Sequence, residues 1–536
     1  MHVLIKSSAL RTVCRSNSWL ISSKCLHSSH GVRPKTWLMS SQWIRNSFID
    51  YFVSRESHVR VGSSPVVAHN DPSLLFISAG MNQFKPIFLD TLSPTDPMNG
   101  YVRCVNSQKC IRVGGKHCDL SAVGTDGRHH TFFEMLGNWS FGDYYKKESC
   151  RMAWDLLTEV FKLDVNRLVV TYFGGDKRLG LEPDLETRDI WLQIGLPEDR
   201  VIPLGSKENF WEMGETGPCG ICTEIHYLLE PTISSNSEHL MRNCIEIWNI
   251  VFIQFNKNSN GRLETLHKHF VDTGMGLERI VSVVQNVKSN YETDLFLPYF
   301  QCIQNNSHSK PNGHQTDDPL DISYRILADH SRMFTIAISD GLKTGYRGTG
   351  FILRKIIRKS IGIAANDFGI SSPRQLLTQL SAITVDLLGD AFPELILNQK
   401  TVGEVLNEEI EKYESVVSDN KRLVKAFTRI DIKTKGDPNM AFKIGLDHLG
   451  HKPTALFHTS ANGKEFYIQT TVPNKYQKFL KANEWLSHIS DKLQTFQLLS
   501  NKRKDKMSSL KCTSMDQMDE AITCAKHIAD QYFKHN

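Results

Sequence analysis

The sequence predicts an α+β protein in which an antiparallel sheet flanked by helices is followed by a helical region. Up to about residue 288, short runs of β-branched and aromatic residues alternate with glycine-rich turns, as in strands. Beyond about residue 289, apolar residues recur at helical spacing. The strand runs are Leu168–Phe173, 245–255 and 269–272, and the helical runs are 322–339, 350–363 and 402–426. With 536 residues the chain is too long for one core, so two or three domains are expected.

The first 35 residues have the composition of a mitochondrial transit peptide. They contain six basic residues and eight serines, and the first acidic residue of the chain is Asp50. A disordered basic arm that binds RNA is the alternative that the same composition allows. Twelve cysteines without framework spacing, in a chain of this size, favour reduced thiols over disulfides.

The charge balance excludes a general attraction for nucleic acid. The formal charge is +5, and the six basic residues among the first 35 account for +6, which leaves about −1 for the remainder. A nucleic-acid partner would therefore have to be bound by local basic patches. No apolar run approaches the ~20 residues that span a bilayer, so no membrane partner is expected.

The first element expected after residues 1–35 is an amphipathic helix over 37–56, where tryptophan, isoleucine and phenylalanine recur at helical spacing. A strand is expected near 74–77. The polar stretch 305–318, which contains proline and glycine, predicts a loop within or before the helical region. The tail from about 457 has little pattern, and the chain contains no internal repeat.

Residues 101–148 interleave basic residues, glycines and aromatics, as expected of a site for an anion and an adenine ring. A cationic strand with Lys109 and Arg112 runs into a glycine turn, and a return strand follows with His130 and Phe133. A hairpin of this composition suits the binding of a nucleotide phosphate.

A second segment, 269–280, predicts a short strand that enters a helix at a glycine turn. This arrangement sets the carboxylate of Asp272 and the guanidinium of Arg279 near one helix N-terminus.

These two segments resemble motif 2 and motif 3 of class II aminoacyl-tRNA synthetases, and specifically those of the alanyl-tRNA synthetase family. Similar strings follow in the family's order between about residues 40 and 360. They are 69–88 (HNDPSLLFISAGMNQFKPIF), 209–227 (NFWEMGETGPCGICTEIHY), 246–257 (EIWNIVFIQFNK), 272–280 (DTGMGLERI) and 289–296 (SNYETDLF). The resemblance implies the class II antiparallel sheet flanked by helices, followed by a helical tRNA-recognition domain.

The resemblance also implies a division of the chain into four parts. These are a transit peptide at 1–35, a class II catalytic domain at 36–288, a helical tRNA-recognition domain at 289–456 and a divergent C-terminal remnant at 457–536.

Three residues match catalytic positions of the family. Arg112 matches the arginine that contacts the α-phosphate of ATP, Arg279 matches the one that contacts the γ-phosphate, and Asp272 matches the carboxylate that holds the substrate ammonium. Negative charge builds at phosphorus when an amino-acid carboxylate attacks it, and arginine and Mg²⁺ are the groups that stabilise such charge. The other positions that match the ATP pocket are His130, Trp211, Ile247, Trp248, Asn249 and Gly276. Taken singly, each could be a surface ion pair or a packed aromatic.

The resemblance implies that Asp272 and Asn249 together select alanine. A small pocket discriminates by only about 10–200-fold when one methyl or hydroxyl group differs, so mischarging is expected unless it is edited. The family's editing domain carries a zinc site with an HxxxH pair, and no HxxxH occurs in this sequence. We therefore expect neither cis editing nor bound zinc.

Cys219 and Cys222 form a single CxxC. A tetrahedral metal site would need two further ligands, so a structural place in the glycine-rich loop that lines the family's active site is favoured over a metal or redox role.

RNA contact is expected at 343–360. Basic residues four apart would form a stripe on one face of a helix there, facing phosphates. The residues assigned to this contact are Arg347, Arg354, Lys355, Arg358 and Lys359. A merely solvated cationic face is the alternative.

The tRNA determinants depart from the family. Alanyl enzymes usually carry in this loop an asparagine that reads a G·U pair, and this chain has Tyr346 near that position. A second residue by which the family recognises tRNA is an aspartate, and Asp447 is the residue of this chain that most resembles it.

Together these features predict a mitochondrial matrix enzyme that activates L-alanine with ATP and Mg²⁺. It would transfer alanine to the 3′ end of mitochondrial tRNA(Ala), and it is expected to be a monomer. Two other classes stay open. A non-catalytic synthetase-like binding protein would be expected to lose Arg112, Asp272 or Arg279, and an amino-acid:carrier ligase would need no basic helix.

Overall fold

The structure of the protein is a computed structural model. It describes residues 39–68, 71, 74–114, 119–230, 237–307, 309, 311, 317–418, 454–459, 466–471, 481–491, 496–498, 507–512 and 517–533. The segment 1–35, expected to be a transit peptide, and Asp447 lie outside these ranges.

A large sheet occupies the first half of the described chain. Its strands are β1 Val59–Arg60, β2 Arg103–Ile111, β3 Phe132–Phe141, β4 Leu168–Phe173, β5 Val201–Leu204, β6 Phe210–Glu212, β7 Gly217–Leu228, β8 Cys244–Lys257 and β9 Leu263–Gly276. Their order is β1-β2-β3-β9-β8-β7-β4-β5, and β6 pairs with β7. The pairs β1–β2 and β4–β5 are parallel, and the central pairs are antiparallel.

Helices accompany this sheet along the chain. They are α1 Ser41–Ser54, α2 Lys85–Phe88, α3 Lys146–Asp155, α4 Leu185–Ile194, α5 Ser206–Asn209, α6 Ser237–Arg242 and α7 Leu277–Val284. The hydroxyl of Ser40 caps α1 by accepting a hydrogen bond from the Trp43 N–H at 3.1 Å. Ile44, Phe48 and Phe52, four residues apart, are fully buried on one face of this helix.

The helical region follows at about the residue that the sequence predicted. Its helices are α8 Leu297–Asn306, α9 Pro319–Ser339, α10 Gly348–Asn366, α11 Pro373–Leu388, α12 Glu394–Leu397 and α13 Gln399–Ser418. Asp318 caps α9 by accepting hydrogen bonds from the N–H groups of Leu320 and Asp321. The predicted α+β class, with a mainly antiparallel sheet and then helices, is confirmed.

One expectation about local structure is wrong. The described residues 74–77 form no strand, although the N–H of Ile77 donates to the Val66 carbonyl at 2.8 Å. The tail also has a regular fold that the sequence pattern did not reveal. Its elements are β10 Thr454–Thr459, β11 Phe466–Thr471, α14 Ala482–Ser490, β12 Phe496–Leu498, β13 Met507–Cys512 and α15 Met518–Phe533.

The strands of this C-terminal part form an antiparallel sheet in the order β10-β11-β13-β12. Phe466, Ile468 and Trp485 are fully buried in a separate apolar cluster. The strands are only three to six residues long, which explains why periodicity did not detect them.

A buried ion network joins the sheet to the helices. Arg45 of α1 forms two hydrogen bonds of 2.6 Å with Glu134 of β3, and Arg332 of α9 lies 2.5 Å from Glu278 of α7. The Glu278 carboxylate also accepts from the Glu134 N–H at 3.2 Å, which connects the two pairs. All four side chains are at most 5% exposed.

Lys109 makes a second link of this kind. Its ammonium contacts Asp340 at 2.5 Å and also Glu394, and the residue is 1% exposed. Of the two cations expected in the hairpin, Lys109 is therefore closed off from a phosphate, because carboxylates of the helical region neutralise its charge.

Removing one charge of the network should destabilise the fold. We expect Arg332→Met to lower the free energy of unfolding by about 3–5 kcal/mol, because the Glu278 carboxylate would remain buried without its partner. Urea denaturation followed by circular dichroism measures this. Arg242→Met, at an ion pair whose side chains are 77% and 74% exposed, is the matched control and should have no measurable effect. Equal effects of the two changes would contradict the network's role.

Candidate active site

A cavity of about 480 Å³ opens on the sheet beside the turn after β2 and the start of α7. Eight of the residues proposed from the sequence line it: Arg112, His130, Trp211, Ile247, Asn249, Asp272, Gly276 and Arg279. They come from six separate segments, so the fold brings together residues up to 167 positions apart, as from Arg112 to Arg279.

Arg112 follows directly after β2. Its Nε donates to the Ser78 carbonyl at 3.1 Å, and its guanidinium lies 4.9 Å from the centre of the Phe133 ring. A guanidinium carries five N–H donors in a fixed plane, so an arginine held in this way retains the capacity to bind a phosphate oxygen.

Arg279 lies in the first turn of α7, which begins directly after Gly276. Its Nη1 contacts the Glu246 side chain at 2.9 Å and the Glu246 carbonyl at 3.2 Å. Burial raises the pKa of Glu246, but Arg279 together with the other basic neighbours of the carboxylate more than offsets this and leaves the pKa below its ordinary value. Glu246 therefore stays ionised and holds the guanidinium at the cavity wall.

Asp272 is a buried carboxylate on β9. Burial raises its pKa to about 7, against the opposing effect of a hydrogen bond from Trp139. A carboxylate with so little water around it favours a cationic partner, such as a substrate ammonium group.

Asn249 and Glu224 lie side by side on neighbouring strands of the cavity. The Asn249 Nδ2 donates to Glu224 Oε1 at 3.3 Å, and His226 Nε2 lies 3.0 Å from Glu224 Oε2. Burial raises the pKa of Glu224. Within the described chain, the buried Asn249 Oδ1 has no hydrogen-bond partner, which suits a ligand that can donate a hydrogen bond.

Trp248 does not line the cavity, so its proposed place in the ATP pocket is corrected. Alternate residues of a strand face opposite sides of a sheet, and Trp248 therefore points away from Asn249. Its ring packs 5.7 Å from Phe48 and 6.4 Å from Phe52, and the residue is 1% exposed.

A register shift explains why Glu246 and Ile247 both line the cavity. Trp248 pairs with Ile225 and Glu246 with His226, so Ile247 is an extra residue opposite β7. Such a bulge re-aims side chains locally. Sequence reasoning missed Glu224 and Glu246, because a bulge of this kind leaves no residue pattern.

His130 forms part of the cavity wall but is itself almost buried. Asn290 Nδ2 lies 3.0 Å from its Nε2, and its Nδ1 lies 3.3 Å from Asp329. The ring stacks on Phe296 with centroids 5.0 Å apart. Its nitrogens therefore face protein groups, and Asn290 is a cavity residue that sequence reasoning missed.

The basic stripe on α10 is only partly as expected. Arg354 and Arg358 both pair with the buried carboxylate of Glu409, at 3.1 and 2.7 Å, so they face the helix bundle and not solvent. The assignment of these two residues to RNA contact is corrected for this reason. Lys355 and Lys359 are exposed.

The loop before α10 is exposed as well. Arg347 lies at its end, and Tyr346 is 70% exposed with its ring 4.2 Å from the Arg354 guanidinium.

Cys219 and Cys222 are buried on β7, and neither is part of a disulfide among the described residues. Burial raises the pKa of Cys222 well above that of an ordinary thiol. In the described part of the chain, no three His, Cys, Asp or Glu side chains are grouped so that they could hold a metal ion.

The antiparallel sheet, the arginine after β2 and the glycine turn into α7 that carries a second arginine define a class II synthetase core. Residues 43–461 match the family described as tRNA synthetases class II (A), and the chain belongs to that family.

Three relatives illustrate the similarity. The cytoplasmic alanine–tRNA ligase of Bombyx mori is 49% identical over 379 residues, which cover 69% of this chain and 39% of that protein. The mitochondrial alanine–tRNA ligase of Saccharomyces cerevisiae is 46% identical, with coverage of 73% and 40%. That of Homo sapiens is 45% identical, with coverage of 71% and 38%. The chain thus spans about two fifths of the length of these relatives.

Among the described helices, none combines the length and the apolar character that crossing a bilayer requires.

The charge on Asp272 should cost stability in a pH-dependent way. Its pKa is about 7 in the folded protein and about 3.9 in an unfolded chain, so the folded state binds more protons between these values and loses stability as pH rises through them. Asp272→Asn cannot ionise. We therefore expect its thermal midpoint to exceed that of the parent by more at pH 8 than at pH 5. Asp189→Asn, whose parent side chain is 56% exposed, is the control; a pH-independent difference for Asp272→Asn would contradict the assignment.

Proposed function

We propose that the protein is an alanine–tRNA ligase. The observation that carries this proposal is the convergence of Arg112, Arg279 and the buried carboxylate of Asp272 on one small cavity. The similarity to alanine–tRNA ligases over about seven tenths of the chain supports alanine as the amino acid.

In the first step, a carboxylate oxygen of alanine attacks the α-phosphorus of ATP. A new P–O bond forms, the bond from the α-phosphorus to the bridging oxygen breaks, and pyrophosphate leaves. Arg112 stabilises the charge that develops on the α-phosphate, and Arg279 holds the γ-phosphate in line. Asp272 binds the α-ammonium and so fixes the direction of the attacking carboxylate.

In the second step, a terminal ribose hydroxyl of tRNA attacks the carbonyl carbon of alanyl-adenylate. An ester bond forms, the acyl–phosphate bond breaks, and AMP leaves with the bonding electron pair. The hydroxyl proton is released to solvent or to a phosphate oxygen.

The cavity suits the proposed substrates. Trp211, Ile247 and Phe133 give apolar surface for an adenine ring, and the unpartnered Asn249 Oδ1 suits a donor group of the substrate. Among the carboxylates that line the cavity, Glu246 and Glu224 would hold Mg²⁺, because they are close enough for the charge of Glu246 to help raise the pKa of Glu224. The ion would neutralise phosphate charge and favour departure of pyrophosphate.

Selection of alanine would rest on limited space near Asp272. Val251, Gly274 and Met135 line this part of the cavity. A Cβ at Gly274 would lie 2.9 Å from the Met135 sulfur, so the wall is already tightly packed there. Serine, which differs by one hydroxyl, would still be misactivated at an appreciable rate. We propose neither cis editing nor bound zinc for this protein, because the sequence contains no HxxxH pair.

Contact with tRNA would use the exposed cations of α10 and of the loop before it, namely Lys355, Lys359 and Arg347. A Cβ at Gly114, two residues after Arg112, would lie 4.0 Å from the Ile352 side chain, so α10 passes close to the turn that follows Arg112. Asp447 stays a prediction outside the described residues.

We further propose the mitochondrial matrix as the compartment, mitochondrial tRNA(Ala) as the partner and a monomer as the active form. The basic, serine-rich composition of residues 1–35 supports the compartment. The division into parts at 1–35, 36–288, 289–456 and 457–536 is proposed on the same terms.

The primary test is pyrophosphate exchange with the purified protein and each of the twenty amino acids, run beside aminoacylation of mitochondrial and cytosolic tRNA(Ala) transcripts. Exchange with alanine and charging of tRNA would support the proposal. Exchange without charging of any tRNA would favour a carrier ligase, and no exchange with any amino acid would favour a binding protein.

Loss of the second arginine should slow activation. We expect Arg279→Gln to reduce alanine-dependent pyrophosphate exchange by roughly 100-fold or more, because one charged donor to the transferring phosphates is lost. Arg188→Gln, at a surface ion pair, is the matched control. A change of less than about twofold in Arg279→Gln would remove this residue from the mechanism.

The two kinds of basic residue on α10 should behave differently. We expect Lys355→Glu to raise the KM for tRNA several-fold and to leave pyrophosphate exchange unchanged, because its exposed charge would face phosphates. Arg354→Met should instead lower the thermal midpoint, because Glu409 would lose a buried partner. The control for Lys355→Glu is Lys147→Glu, an exposed residue of α3. An unchanged tRNA KM in Lys355→Glu would argue against this surface.

A further inference from the structure

Trp139 is directly bonded to the carboxylate at the centre of the proposed amino-acid site. The two residues lie opposite each other on β3 and β9, and the indole Nε1 donates to Asp272 Oδ1 at 2.6 Å. Trp139 is fully buried and does not line the cavity, so it reaches a substrate only through Asp272.

Two glycines shape the slot that holds this indole. A Cβ at Gly137 would lie 2.2 Å from the Trp139 ring, and a Cβ at Gly80 would lie 2.7 Å from it. Phe84 covers the ring with its centroid 4.7 Å away. The backbone itself therefore forms the walls of the slot and keeps the N–H directed at Asp272.

We propose that Trp139 is a positioning residue for the amino-acid substrate: its indole N–H fixes one oxygen of Asp272, so that the carboxylate is oriented and charged when the α-ammonium arrives. This inference rests on the proposed function and deepens it. It assigns to a side chain outside the cavity a share in binding the substrate ammonium.

The Trp139 hydrogen bond favours the charged form of Asp272. Burial raises the pKa of the carboxyl, and the Trp139 hydrogen bond opposes that rise. Its other cross-strand partner, Val251 on β8, cannot ionise. The charged residues that line the same cavity are Arg112, Asp119, Arg128, Lys207, Glu208, Glu212, Glu224, Glu246, Glu278 and Arg279, with His129 and His130 as titratable neighbours. On β2, burial keeps the Cys110 thiol protonated by raising its pKa.

Removing the N–H should therefore raise the pKa of Asp272 further and weaken the hold on a cationic group. In Trp139→Phe we expect the KM for alanine in pyrophosphate exchange to rise about tenfold at pH 7, the loss typical of a hydrogen bond to a charged group. The KM for ATP should change by less than about twofold. The alanine KM should fall as rising pH ionises Asp272, and in the variant this fall should occur at higher pH than in the parent. The comparison applies below the pH at which free alanine loses its ammonium proton.

Two further proteins separate this role from packing. Trp191→Phe removes another fully buried indole donor, whose N–H donates to the Thr223 hydroxyl at 2.9 Å. This hydrogen bond lies away from the cavity, so the change should leave the alanine KM and its pH profile unchanged. Benzothienylalanine at position 139 keeps the ring shape but has sulfur in place of the N–H. It should reproduce the kinetics of Trp139→Phe with little change in thermal midpoint.

The outcomes distinguish the inference from the proposed function. If the parent protein shows alanine-dependent exchange and the benzothienylalanine protein keeps the parent's alanine KM and pH profile, Trp139 has no positioning role. If the two KM values rise together, its role is structural, which also overturns the inference. If the parent shows no alanine-dependent exchange, the proposed function fails before Trp139 is tested.

Discussion

The buried pairs Arg45–Glu134 and Arg332–Glu278 are the constraint on which the rest of the structure depends. Four charges are withdrawn from water together, and this is tolerable only because each guanidinium meets a carboxylate at hydrogen-bonding distance. Their side chains come from α1, β3, α7 and α9. The network therefore fixes strand β3 of the sheet to one helix that precedes it in the chain and to two that follow it. Glu278 and Arg279 are neighbours in the chain. The contact that anchors α7 through Glu278 therefore also sets the backbone position from which the Arg279 side chain extends to the cavity.

The cavity arises from strand geometry more than from any single motif. Alternation along β8 and β9 points Asn249 and Asp272 to one face of the sheet, and the bulge at Ile247 adds Glu246 to that face. The cationic groups of Arg112 and Arg279 approach from the ends of β2 and β9. Opposite charges thus meet above a floor of packed side chains, where low dielectric strengthens each interaction.

Several basic residues of similar appearance in the sequence have different roles in the fold. Lys109 is closed off by Asp340 and Glu394, and Arg354 and Arg358 share the buried Glu409. Arg112 and Arg279 instead border open space. The carboxylates that close off the first three residues come from 51 to 285 positions away, whereas Glu246, which pairs with Arg279, itself lines the cavity.

The sequence by itself determined the α+β class, the main strands and long helices, and eight residues that line one cavity. These follow from local periodicity and from motifs whose residues are close in the chain. Only the tertiary structure decided the facing of Trp248, the pairing of the buried cations, the four-stranded C-terminal sheet and the bond between Trp139 and Asp272. The physical reason is that burial and partner choice depend on cross-strand register and helix packing, which join residues far apart in sequence.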